Sequence, residues 1–216
     1  MGNARIGLIG DYIEALGTVI AALGTTPSVI YEEFHATEDT YPEHIEKLTD
    51  YLKVQYGFWG NVLQAIGNEI GALTSEPGSL SKLAGEVGAS GNITVIASLK
   101  EELSFEEEQA LFILGNALQA VGSLIEASLE FEETGELSFL QGVSLVLEAI
   151  GNALQILGAL LFFDEDIKGG RILIYYGSWI QAIGASFEAL FASKALKQDE
   201  AKALAMRQKK ELIKAG

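Results

Sequence analysis

Gly60-Asn61-Val62-Leu63-Gln64-Ala65-Ile66-Gly67 reads as two turns of helix in which almost every side chain is apolar or small. Gly60, Leu63 and Gly67 stand at i, i+3 and i+7, one stripe of a helix. Only Asn61 and Gln64 are polar, and they are i, i+3 neighbours on one narrow strip. A helix apolar over most of its girth is expected to be buried on most sides.

The same turns recur. The pentad Ile/Leu, Glu/Gln, Ala, Ile/Leu/Val, Gly occupies 13–17, 63–67, 118–122, 147–151 and 180–184, with a near copy at 154–158. A second glycine seven residues away gives the pairs Gly10 and Gly17, Gly60 and Gly67, Gly115 and Gly122, Gly151 and Gly158, Gly177 and Gly184. A glycine inside a helix costs about 0.8–1 kcal/mol relative to alanine. Repeating that cost at fixed spacing implies a gain, and close approach of helix backbones supplies one. These glycines are therefore the helix-packing candidates, with Gly67 and Gly71 adding a GxxxG pair. Gly24, followed by Thr25-Thr26-Pro27, reads as a helix end. The seven-residue recurrence predicts near-antiparallel helices with left-handed crossings.

Asn61/Gln64, Asn116/Gln119 and Asn152/Gln155 are uncharged amide pairs where a solvated strip would carry Glu and Lys. They are assigned to a polar seam between helices or to a polar lumen. Together these patterns predict an all-α protein, either a multi-helix bundle or an irregular helical array built from degenerate Gly-heptad helix repeats. Helices are expected near 4–24, 42–74, 104–130, 136–163, 170–193 and 195–214. Shorter helical pieces are expected near 28–36 and 79–87, and residues 91–98 suit either a short strand or more helix. Glu106-Glu107-Glu108 after Ser104 reads as a favourable helix N-terminus.

Charge divides the chain. The net charge is −16, yet seven of the fourteen Lys and Arg lie between Lys194 and Lys214, with only Asp199, Glu200 and Glu211 beside them. Residues 1–193 are accordingly read as a repetitive helical body and 194–216 as a basic C-terminal helix, an assembly element for an acidic surface. An acidic chain is a poor nucleic-acid binder, because phosphate contacts need a basic surface. No secretory signal is apparent, which suggests a cytoplasmic protein and leaves spore or cell-surface association open. The longest apolar stretch, Phe139 to Phe163, carries Gln141, Glu148, Asn152 and Gln155 and is read as a poor bilayer span.

Chemistry-bearing clusters are sparse. Cysteine is absent, which removes disulfides and thiolate metal sites. Glu32 and His35 make one E-x-x-H spacing, with His44, Glu38, Asp39, Glu43 and Glu46 nearby, but di-iron carboxylate bundles use two such helices. Asp164-Glu165-Asp166 lacks the later ligands and closing Glu of a calcium loop. No phosphate loop or nucleophile triad is present. The expectation is no catalytic residue, no cofactor and no metal. Tyr56, Phe58, Trp59, Tyr175, Tyr176 and Trp179 open motif helices and are assigned to core packing, ahead of an interface or pocket role.

Helices carrying Trp179-Ile180-Gln181-Ala182-Ile183-Gly184, Gly60 to Gly67 and Gly115-Asn116-Ala117-Leu118-Gln119-Ala120 resemble those of a family of uncharacterised repetitive helical proteins from Bacillus-like bacteria. The resemblance covers about half the chain and implies no activity. The segment Tyr31 to Asp50 and the basic tail lie outside it. Two functions follow from the sequence. The first is a structural or self-assembling helical interaction protein without catalytic activity, a homo-oligomer or polymer. The alternative is a membrane-active or lipid-binding amphipathic helical protein.

Overall fold

The computed structural model describes residues 2–34, 43–100 and 102–215, without the side chains of 31–34, 43, 44, 46 and 212–215. Among these residues there are six helices and no strand: α1 (Gly2–Phe34), α2 (Glu43–Thr74), α3 (Leu80–Ser98), α4 (Phe105–Glu132), α5 (Glu136–Phe163) and α6 (Ile167–Ala215). Their starts follow from local chemistry. Ser79 caps α3 by accepting the Lys82 N–H at 3.1 Å. Ser104 caps α4 in a reciprocal box: its hydroxyl accepts the Glu107 N–H at 3.3 Å, and the Glu107 carboxylate accepts the Ser104 N–H at 2.9 Å. Ser79→Ala is expected to cost about 1 kcal/mol, read as a small fall in melting temperature without loss of helix content by circular dichroism.

Two expectations are corrected here, and one open alternative is decided in favour of helix. Gly24 does not end α1, which runs on through Pro27 to Phe34. The hydroxyls of Thr25 and Thr26 bond the Ala22 carbonyl at 2.8 and 3.0 Å. Such side-chain bonds help a helix accommodate an internal proline. Residues 91–98 are helical and complete α3. The basic tail continues α6 without a break, so that helix is 49 residues long.

The helices close into a ring. Each touches two others among the described residues: α1–α2, α2–α3, α3–α4, α4–α5, α5–α6 and α6–α1. Glycines zip the three hairpins. A Cβ on Gly17 would lie 2.6 Å from the Gly60 carbonyl oxygen, and one on Gly67 would lie 2.7 Å from that of Gly10. In the second hairpin Gly115 faces Gly91, while Gly122 faces Ala84 and Gly88. In the third, Gly151 faces Gly177, Gly158 faces Gly170, and Gly184 faces the Ser144 carbonyl. Gly71, by contrast, would have nothing within 4 Å of an added Cβ, so it makes no close crossing with Gly67. The ring is closed by Ala15 against Ala185 and Ala189, and by Arg5 on Glu200 at 2.7 Å.

The interior contains little that is large and apolar. Eleven of the fifteen buried hydrophobic residues are alanine, and only Val29, Val95, Leu145 and Ile174 are larger. The largest fully buried side chains are all polar: Gln64, Asn92, Asn116, Asn152, Thr18 and Ser98. The large apolar side chains face outward on every helix, among them Ile9, Leu16, Ile66, Ile93, Leu114, Val121, Ile150, Leu157 and Ile183. In a water-soluble protein the reverse distribution dominates.

Candidate functional site: a polar lumen in two chambers

The lumen is built from the heptad. Gln119 and Glu126 are seven residues apart on α4, Glu148 and Gln155 on α5, Gln181 and Glu188 on α6. Seven residues is nearly two helical turns, so each pair points the same way at two heights. Successive helices alternate in direction. The order Gln then Glu on α4 and α6, and Glu then Gln on α5, therefore brings amides together at one level and acids together at another. Gln64 on α2 joins the amide level, and Glu14 on α1 joins the acid level.

The amides form one network. Gln181 Nε2 donates to Gln119 Oε1 at 2.9 Å and to Gln64 Oε1 at 3.2 Å. Gln155 Nε2 donates to Gln181 Oε1 at 2.9 Å, and Gln119 Nε2 to Asn61 Oδ1 at 3.5 Å. Four helices are thus joined across the axis. Gln181 is the hub, and the polar seam expected from the sequence omits it. The signal was available in the second position of its pentad, the position that holds Gln64 and Gln119 in theirs.

Above this layer lies a chamber of about 700 Å³, its open mouth included, lined by Asn61, Gln64, Asn116, Gln119, Gln155 and Gln181 together with Thr25, Ser98, Phe112, Phe162 and Ile174. Lys53 and Glu108, 4.0 Å apart, stand in its wall. On the other side lies a chamber of about 660 Å³, its open mouth included, lined by Asp11, Glu14, Asn68, Ser81, Glu126, Glu130, Gln141, Leu145 and Glu188. All six helices line each chamber, which puts both on the axis of the ring. The acidic chamber has no Lys or Arg in its wall. Glu14 accepts a bond from Asn68 Nδ2 at 2.7 Å.

The asparagines following motif glycines share a second habit. Asn61, Asn68, Asn92 and Asn116 each donate to the carbonyl four residues back, at 2.8, 2.9, 3.1 and 2.8 Å. Asn152 does not. Both of its amide atoms lack a partner, as does Glu148 Oε1 one turn away.

The outer face has its own order. Phe105 and Phe163 touch at one end, with ring centroids 5.5 Å apart; Phe131 and Phe139 touch at the other, 5.8 Å apart. From Phe105 to Phe131 along α4 is about 39 Å at 1.5 Å per residue. A bilayer is about 40–45 Å thick with its headgroups. Trp59 is 57% exposed and Tyr176 56%, with Tyr56 and Phe58 also exposed, so these four do not pack the core as expected. Trp179 is half-buried and donates to Thr26 Oγ1 at 3.1 Å. Three helices, α1, α4 and α5, are long and apolar enough to cross a membrane. This corrects the reading of Phe139–Phe163 as a poor span, since Glu148, Asn152 and Gln155 are all buried inside the ring. Charges on α2 and α3 sit toward the helix ends: Glu69 and the Lys82–Glu86 pair at 3.2 Å lie within two turns of the α2–α3 connection, and Lys47, Asp50 and Lys53 lie within the first three turns of α2.

The remaining candidates are structural or lie elsewhere. Asp166 accepts the Gly169 N–H at 2.9 Å and so serves the start of α6. No group of three His, Asp or Glu that could hold a metal ion occurs among the described residues. His35, Glu38 and Asp39, and the side chains of Glu32, Glu43, His44 and Glu46, lie outside the described residues. Comparison with curated proteins and with solved structures finds no match. A family model does match, over residues 5–189, and the chain belongs to that family of unknown function, DUF6944.

Proposed function

We propose that this protein is an integral membrane protein, a six-helix ring whose polar lumen is a pathway or binding chamber for small polar solutes. One observation carries the reading: large apolar side chains face outward around the whole ring while Gln, Asn, Ser, Thr and Glu are buried. Burying amides and carboxylates and exposing Ile, Leu and Phe is costly in water and favourable in lipid. Aromatic residues toward both ends match the membrane–water interfaces. Self-assembly in water, the reading favoured by the sequence alone, would have to cover apolar strips on all six helices at once. A closed point-group contact covers only part of a surface.

The basic residues suggest an orientation. Arg5, Lys82 and the seven from Lys194 onward lie at the end where α1 begins; Lys47, Lys53, Lys100, Lys168 and Arg171 lie at the other. An excess of Lys and Arg marks the cytoplasmic side, and the tail would then meet an anionic leaflet. The chain has no cysteine, so introduced thiols report cleanly. The protein is expected to stay with membranes through an alkaline wash and to need detergent for extraction. Lys209→Cys should react with an impermeant thiol reagent only from the cytoplasmic side, and Lys100→Cys only from the other. A monodisperse protein purified without detergent would sink the membrane reading, and a detergent-free oligomer would restore self-assembly.

A further inference from the structure

The chamber above the amide layer carries no charge in its depth. Lys53 and Glu108, 4.0 Å apart and both partly exposed, stand at its rim and offset each other. The other polar side chains in its wall are amides and hydroxyls.

The amides use only part of their bonding capacity. A primary amide offers two N–H donors and a carbonyl acceptor. Gln181 spends both donors and accepts once. Gln64 Nε2, Gln155 Oε1 and Asn116 Oδ1 make no hydrogen bond among the described residues, although all three residues are buried. The unpartnered polar atoms sealed inside the protein belong to Asn92, Glu148 and Asn152 instead. The open atoms of Gln64, Gln155 and Asn116 therefore face the chamber that their residues line. Gln109 carries this further. It is 5% exposed, lines the same space and has no side-chain hydrogen-bond partner among the described residues. It stands above Gln119 on α4 by about 15 Å at 1.5 Å per residue. Buried amides are ordinarily satisfied. Here donors and acceptors at two heights of one cavity are left for its occupant.

We propose that this amide chamber binds a small uncharged polyol. A charged solute would give up its water at a depth where no counter-charge waits. A hydroxyl is both donor and acceptor, so one kind of group answers Gln64 Nε2 and Gln155 Oε1 alike. Phe112 and Phe162 give the carbon skeleton an apolar wall, which water alone does not use. The enclosed space holds roughly five waters, which sets the solute at about three or four carbons. This inference rests on the lumen being the functional site, and it names the class of solute.

The test is titration of glycerol and of erythritol into the full chain, purified in a detergent without a sugar headgroup and read by saturation-transfer NMR. Saturable binding is expected, with no competition from urea, glycine or sodium chloride at the same concentration. Gln109→Ala, which breaks no side-chain hydrogen bond within the protein, should weaken binding about fivefold, the equivalent of one neutral hydrogen bond. Gln109→Met, which keeps the bulk, should behave alike. Melting curves and gel filtration check that each variant is folded. The proposal is overturned if neither polyol binds saturably, if urea or glycine competes as well as erythritol itself, or if the folded Gln109 variants bind as tightly as wild type. Membrane retention is scored separately. A membrane-retained protein that binds no polyol refutes only this inference, and a detergent-free soluble protein that does bind refutes only the membrane reading.

Discussion

Gly151→Leu is expected to lower stability by about 3 kcal/mol or more and to separate α5 from α6. A Cβ at position 151 would lie 2.6 Å from both the Gly177 carbonyl oxygen and the Gln181 amide nitrogen. Both are backbone atoms, so no side-chain rotation relieves the clash, and the helices must move apart. That displacement also shifts Gln181, the hub of the amide network. Gly158→Leu should behave alike, because the Gly170 carbonyl lies 2.6 Å from a Cβ there. Gly71→Ala is the internal control. It has open space around it, and alanine is the better helix former by about 0.8–1 kcal/mol, so it should be neutral or stabilising. Thermal unfolding in one detergent compares all three. If Gly151→Leu melts with wild type, the crossing does not depend on that glycine.

The contrast between Gly71 and Gly151 shows where sequence reading stops. Both fit a small-residue spacing, but spacing fixes only the stripe of the helix, not what lies opposite. The hairpin partners of Gly115, Gly122 and Gly158, namely Gly91, Gly88 and Gly170, fall in stretches whose pattern is less regular. Gly91-Asn92 repeats the dipeptide of 60–61, 115–116 and 151–152, and that was the missed signal. Closure of the ring by α1 on α6 was not legible at all. Its buried contact is Ala15 on Ala185 and Ala189, three alanines with no distinguishing local pattern, and the Arg5–Glu200 and Trp179–Thr26 bonds beside it join residues whose pairing no spacing announces.

The polarity of the fold was harder still. Periodicity shows that Asn61 and Gln64 share a strip and that Leu63 and Ile66 do not, but it carries no sign for inside and outside. A helix apolar over most of its girth is buried in protein or in lipid, and the choice needs the packed structure. Half of the site was visible as amide pairs. The acidic half, Glu126 and Glu188, lies one heptad beyond Gln119 and Gln181. Only the antiparallel order of the helices reveals that those acids, with Glu148, share a level with Glu14.

Gln181→Ala is expected to have two effects that separate the structural role of the amide network from its role as the partition between chambers. Gln181 makes three bonds to other helices, two donated and one accepted. Its removal leaves the amides of Gln64, Gln119 and Gln155 each short of one partner. Interhelical bonds of this kind are worth about 0.6–2 kcal/mol each in membrane proteins. The loss should be about 2–4 kcal/mol, somewhat softened by water from the upper chamber replacing part of the network. The second effect concerns passage. Ser81 lies in the wall of the acidic chamber, and the four glutamines stand between it and the opposite mouth. A Ser81→Cys thiol should react with a small cationic thiol reagent from the side of the termini only. With Gln181→Ala added, the same thiol should react from both sides. Gln181→Leu, which restores bulk without hydrogen bonds, should be as unstable as the alanine variant yet keep the partition shut. Labelling of Ser81→Cys from the far side already in the parent, or unchanged labelling in the alanine variant, would show that the glutamines bind the helices together without separating the chambers.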